Sequence, residues 1–230
     1  MGDGTQSKKL SPFFAYPNKA RFNRPITKNK IYEHSAASKI LKDQFVRQVE
    51  QIIWEYKLAP ETINLVAKGH VHEIQIFSIR LKSDKLDLKV LRCIDEVIFS
   101  PIIFELHRGE DENTETQVVA AYKNQTSSGG LEMSNYFCSE WISSDVEREP
   151  IPLSLDMKSL YEQIICLLIP IPSRAHESID ELLVRFDQFA TKRQEIERIA
   201  VKLAKEKQFN RKVEINARLR ELKSELEKLI

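Results

Sequence analysis

Glycine is scarce in this chain, with six among 230 residues. Loops that cradle phosphates need several glycines, so that backbone amides can approach the anion. Neither the dinucleotide-binding glycine pattern nor the phosphate-loop lysine pattern is present. Cysteine is scarce too: Cys93, Cys138 and Cys166 are odd in number, far apart, and each inside an apolar segment. That argues against a disulfide framework or a zinc site and for reduced thiols. No apolar run approaches the roughly 20 residues that cross a bilayer. The opening "MGDGTQSKKLSPFFAYPNKARF" has no apolar core of the kind a secretory signal needs. A soluble cytoplasmic protein with no membrane partner is expected. Charge of one sign is also lacking, since 35 Lys and Arg stand against 34 Asp and Glu. The molecule as a whole does not attract nucleic acid, so any such binding must come from a local patch.

What is present is 42% hydrophobic and 30% charged residues, enough for a core and a highly charged helical part. The chain divides, on its patterning, into a basic aromatic N-terminal arm (1–30), an α+β domain (31–172) and a C-terminal long helix or coiled coil (173–230). In the arm, Lys8, Lys9, Lys19, Arg21 and Arg24 interleave with Phe13, Phe14, Tyr16 and Phe22. Such residues can touch phosphates and stack on bases, or the aromatics can dock on their own domain. A helix is predicted from Ser35 to Leu58, with Leu41, Phe45, Val49, Ile52 and Tyr56 in one stripe and Ser35 or Ser38 as cap. "VHEIQIFSIRLK" predicts a strand whose alternation changes phase near Ile76, through a bulge or because both faces are covered. A helix over Leu86–Ile98 capped by Ser83 or Asp84, strands at "IIFEL", "TQVVAAYK" and "YFCSEWI", and a helix through Met157–Leu168 come next. The fold class is α+β: a small mixed or antiparallel sheet with packed helices, then a long C-terminal helix as coiled coil or helical hairpin.

From Ser178, which with Glu181 makes a capping box, no proline or glycine occurs to Ile230. The apolar stripe Ile196, Ile199, Leu203 and the zipper Leu219, Leu222, Leu226, Leu229 do not coincide at 100° per residue. The offset far exceeds the roughly 20° per heptad that supercoiling absorbs. The helix must bend near "KEKQFNRKVEIN" or change partners there, with Phe209 and Val213 as a bridge. Lys205, Lys207, Arg211 and Lys212 crowd that stretch as a solvated face, a phosphate-contacting face or a register-setting layer. The zipper leucines need a counterpart: an earlier helix of the chain, a second copy or another protein. Pairing between chains through Phe209, Val213, Leu219, Leu222, Leu226 and Leu229 is expected.

Catalytic constellations are sparse. Glu61 and Glu73, with Gln75 two residues on, have the look of paired acids that hold Mg²⁺ in restriction-type nucleases, with glutamine where a lysine is usual. His70 and His72 would share a face on a strand and could ligate a metal, His107 being the available third ligand. No cofactor motif is present.

Three stretches together carry a family likeness: "QVEQIIWEYKLAPETINL", "EIQIFSIRLKSDKLDLKVLRCIDEVIFSPIIFEL" and "KEKQFNRKVEINARLRELKSELEKL". In this order they resemble the prokaryotic domain-of-unknown-function family DUF4391. The resemblance implies a setting beside DNA helicases and methyltransferases of restriction-modification-like and phage-defence loci, and implies no catalytic residues. The expected function is a non-enzymatic accessory or adaptor protein of such a DNA-processing assembly, acting through its C-terminal helix. The alternatives are direct nucleic-acid binding through the arm and the basic helix middle, and a divergent metal-dependent nuclease.

Overall fold

In the computed structural model, residues 11–126 and 129–230 are described. They fall into two compact units, Met1–Leu168 and Ile169–Ile230. The elements of the first unit are β1 (Phe14–Ala15), β2 (Arg21–Pro25), α1 (Lys28–His34), α2 (Lys39–Gln48), β3 (Val49–Leu58), α3 (Pro60–Ile63), β4 (Ile74–Leu81), α4 (Leu88–Val97), β5 (Ile102–Arg108), β6 (Glu115–Gln125), β7 (Leu131–Cys138), β8 (Ile142–Ser143), β9 (Glu149–Pro150) and α5 (Met157–Leu168). The main sheet runs β2-β3-β4-β5-β6-β7, with β8 beside β6. It is antiparallel except for β4 and β5, which α4 connects as a parallel pair. The expected α+β class is what the chain adopts.

The predicted helix Ser35–Leu58 is corrected to half its length. Ser38 caps α2, its Oγ accepting from the Leu41 amide (3.3 Å), and at Val49 the chain turns into β3. Val49, Ile52, Ile53, Trp54 and Tyr56 are β-branched or aromatic and suit a pleated surface. Helical spacing arose because β3 is bulged twice: Val49 pairs Leu81 but Gln51 pairs Arg80, and Trp54 pairs Phe77 but Tyr56 pairs Ile76. Glu50 and Glu55 are the extra residues. The first bulge sets Val49 and Ile52 in the same core at a step of three. The phase change seen near Ile76 arises because β4 is covered on both faces, with Ile76, Phe77 and Ile79 fully buried and the pairing with β5 unbroken. Pro60 opens α3 rather than merely ending a helix, as its missing N–H is harmless there. The cap of α4 is Asp87, accepting from the Lys89 amide (2.9 Å), rather than Ser83 or Asp84.

One sheet face is apolar along its length. Phe77, Ile79, Phe104, Leu106 and Val119 pack there with Phe45 of α2 and Val90, Leu91 and Ile94 of α4. The opposite face is divided. Toward one end α5 lies on β6, with the Tyr122 and Tyr161 rings stacked at 5.5 Å and the Tyr161 hydroxyl donating to the Ala121 carbonyl (2.7 Å). Toward the other end, where β4 and β5 finish, the face turns polar. A buried cation ties the crossover down. Lys123 Nζ lies 2.9 Å from Asp95 Oδ1 and donates to the carbonyls of Asp95, Ile98 and Ser100 at the end of α4. A cation at a helix C-terminus is favoured by the free carbonyls and the dipole.

The second unit is an antiparallel helix pair, α6 (Ile179–Lys205) and α7 (Phe209–Glu227). The capping box is present: Glu181 donates its amide to Ser178 Oγ (3.3 Å) and Glu181 Oε2 accepts from the Ser178 amide (2.8 Å). A single long helix is not formed. Glu206 Oε1 accepts from the amides of Lys207 (2.8 Å) and Gln208 (2.9 Å), satisfying donors that a continuing helix would have bonded internally.

Candidate functional site

The fold-back answers where the zipper goes. Leu222 is wholly buried, and Leu219, Leu226 and Leu229 are partly so. Ion pairs cross between the helices on either side of Leu222, Lys192 with Glu225 and Arg218 with Glu195 (3.5 Å). Arg185 is buried, binds Glu177 (2.6 Å) and donates to the Leu229 carbonyl (2.5 Å), while Arg174 donates to the Lys228 carbonyl (2.5 Å). The counterpart of the leucine seam is therefore α6 of the same chain.

Charge along this hairpin is distributed unevenly. On the shaft, Arg185, Lys192, Arg193 and Arg218 each have a carboxylate partner, while Arg198, Lys202, Arg220 and Lys223 have none among the described residues. At the fold-back, Lys205, Lys207, Arg211 and Lys212 have no ion pair among the described residues. Between Val201 and Glu214 five cations meet two carboxylates, and Glu206 already spends one oxygen on the turn amides. Those amide bonds hold its pKa below the usual carboxylate value. Phe209 stands 78% exposed in the same stretch, with Val213 half exposed. The tip thus offers unpaired cations around an open aromatic ring.

The N-terminal candidates are divided among several places. Lys8 and Lys9 lie outside the described residues. Phe13, Phe14 and Tyr16 are buried, and Arg148 lies over the Phe13 ring at 3.8 Å. Lys19, Arg21 and Arg24 are exposed along the β2 edge, where Phe22 packs at a tilt against Trp54, ring centroids 4.3 Å apart.

Glu61 and Glu73 do converge, but on a cation of the protein. Lys57 Nζ is 3.4 Å from Glu61 and 3.3 Å from Glu73, whose hydrogen bond first and charge second raise the lysine's pKa. Gln75 Nε2 and Ser100 Oγ donate to the other oxygen of Glu73 (2.5 and 3.1 Å). A divalent ion between these acids would have to displace Lys57. His70 and His72 are not on a strand; Lys68 and Val71 close a turn around Gly69 and His70, His72 follows it, and His70 Nε2 bonds the Lys123 carbonyl (2.9 Å). Among the described residues no group of three or more His, Cys, Asp or Glu is arranged to hold a metal.

A polar cleft of about 430 Å³ on the divided sheet face was not foreseen. Its floor comes from register. Gln51, Arg80, His107 and Thr116 are neighbours across β3, β4, β5 and β6, and Ile53, Ser78 and Glu105 form the next row. Partners on adjacent strands share a face, so residues 65 positions apart in sequence meet. Asp111, Thr114, Ser144 and Arg148 form the walls, and Glu55, extruded by its bulge, completes the lining. Glu105 is buried and held by Arg148 through two bonds (2.9 and 2.8 Å). His107 Nδ1 bonds Thr116 Oγ1, which bonds Ser144 Oγ, each at 2.9 Å. Desolvation drives the His107 pKa down to about 4, with Arg148 and Arg80 adding to the shift against the pull of Glu55, so the imidazole is neutral at pH 7. Glu55, Ser78 and Arg80 make no side-chain hydrogen bond or ion pair among the described residues.

The architecture defines an α+β sheet domain joined in sequence to a helical hairpin. The family model described as Domain of unknown function (DUF4391) matches residues 14–226, so the chain belongs to that family. No curated protein and no solved structure matches it. No helix among the described residues is long and apolar enough to cross a membrane.

Proposed function

We propose that this protein is a non-enzymatic accessory protein of a DNA-processing assembly, of the restriction-modification or phage-defence kind, and that it contacts nucleic acid through the tip of the α6–α7 hairpin. The observation that carries the reading is the tip itself: Lys205, Lys207, Arg211 and Lys212 stand without an ion pair among the described residues, around the exposed ring of Phe209. Leu222 is used within the chain, and the tip adds an exposed ring and unpaired cations that a partner could meet. Ammonium and guanidinium groups neutralise phosphates and release counterions, and an exposed ring gives a base a surface to stack on. The exposed Val213 beside Phe209 supports a second reading, docking on an acidic protein surface. Fluorescence anisotropy with a labelled duplex and a labelled single strand separates the two. The reading expects binding that weakens strongly when Lys205, Lys207, Arg211 and Lys212 are changed together to Gln, and Phe209→Ala to weaken single-strand binding by roughly 1–3 kcal/mol. Equal, negligible binding by wild type and variants would remove the nucleic-acid reading and leave the protein-partner one.

A further inference from the structure

The polar cleft of the sheet domain lies outside the hairpin, and its chemistry is independent of what the hairpin tip binds. The cleft opens where the parallel strands β4 and β5 end, Arg80 and His107 being the next-to-last residues of each. In open α/β sheets ligands bind outside the carboxyl ends of the parallel strands, and β4–β5 is the one parallel pair of this otherwise antiparallel sheet. Its floor is sheet rather than loop, so the polar groups are held by four strands. A face of a central sheet is ordinarily apolar, and this one is apolar a few residues away at Ile76, Ile103 and Ala120.

The charges lining the cleft are Arg80, Arg148, Glu55 and Asp111, and Arg148 also binds the buried Glu105. Arg148 and Glu105 neutralise each other. Neither Arg80 nor Glu55 makes a side-chain hydrogen bond or an ion pair among the described residues, although they line the same space. We infer that the cleft binds a small organic anion that also carries hydroxyl or ammonium hydrogens, with Arg80 taking its carboxylate or phosphate and Glu55 accepting from its donors. The guanidinium fork matches either anion with two parallel N–H bonds. Glu55 and Asp111 make the site a poor one for a bare anion, since like charges would oppose it. A ligand whose donors turn toward Glu55 converts that repulsion into a bond. Neutral His107, fixed through Thr116 and Ser144, and the hydroxyl of Ser78 supply uncharged hydrogen-bonding groups that orient it. The volume suits a ligand of a few to a dozen or so heavy atoms, at the low end of the roughly 300–1,000 Å³ usual for small-molecule pockets.

The test uses the full chain and amide NMR shifts, with ribose 5-phosphate, L-serine and inorganic phosphate as probes. One of the two organic probes is expected to give saturable shifts centred on Gln51, Ser78, Arg80 and His107. Arg80→Gln should weaken that binding roughly tenfold or more, as expected for loss of a charged hydrogen bond. Because Arg80 is exposed and unpaired, this variant should keep the wild-type spectrum elsewhere. Glu55→Gln should weaken the organic probe and leave inorganic phosphate unchanged or improved, which tells a donor-bearing ligand from an anion alone. The inference is overturned if neither organic probe gives saturable shifts there. It is equally overturned if Arg80→Gln leaves the affinity unchanged, or if inorganic phosphate binds as well as the organic probe and Glu55→Gln does not separate them.

Discussion

Replacing Leu222 by Ala asks whether the leucine seam belongs to one chain or two. Leu222 is wholly buried, while Leu219 and Leu226 on either side are only partly covered. Truncating a buried leucine costs about 2–5 kcal/mol, depending on how far the surroundings collapse into the space left. Partly exposed neighbours can move inward, so the lower end applies, about 2–3 kcal/mol. For a unit of this size that is a fall of about 10–20 °C in the melting temperature of the hairpin. The assay is helical circular dichroism against temperature at several protein concentrations, with light scattering for the mass. An in-chain seam predicts an early helical transition that moves down on substitution, is independent of concentration, and leaves the mass unchanged. A wild-type transition that rises with concentration, together with a mass that drops on substitution, would show that Leu222 joins two chains and refute the fold-back reasoning.

Other outcomes concern the buried charges. Arg148→Met leaves Glu105 buried without its partner and should cost about 3–5 kcal/mol in a urea titration of the sheet domain; a change within error would mean that the pair is dispensable. Glu177 is held at a pKa of about 2, below its usual 4.5, chiefly by the Arg185 hydrogen bonds. A depressed carboxylate stabilises fully above its unfolded pKa, and that contribution is lost as pH falls from about 4.5 through about 2. Hairpin stability should decline through that window, and Arg185→Gln should lower stability at neutral pH while flattening the decline; an unchanged slope would contradict the assignment.

Much of the architecture was legible because local chemistry and global fold agree. The Ser178 capping box and the stripe of α5 each specify one conformation by themselves. The misread element was β3. Its two bulges insert Glu50 and Glu55, and an inserted residue turns a step of two into a step of three, which is what a helix would show. Only pairing with β4 decides between them. The break in the C-terminal helix could be read from the two apolar stripes, since their offset is a property of one segment. The choice of partner could not, because mixed charges beside the leucines permit α6, a second copy or another protein. Glu61 and Glu73 both reach Lys57, which lies outside the motif that suggested them. The cleft was hidden for a related reason. Gln51, Arg80, His107 and Thr116 have no spacing pattern, and it is strand register that makes them neighbours. Arg80 and His107 each alternate with buried residues on their strand, a signal of one polar sheet face that was available in "FSIRL" and "FELHR".

Whether the hairpin tip holds nucleic acid is decided by the salt dependence of DNA binding. Affinity for a duplex should fall linearly with salt on logarithmic axes, with a slope of about 0.9 for each phosphate neutralised. Changing Lys205, Lys207, Arg211 and Lys212 together to Gln should reduce that slope by up to about 3–4, with the helical signal unchanged. A variant whose slope and affinity equal those of the wild type would show that the tip cations touch no phosphate.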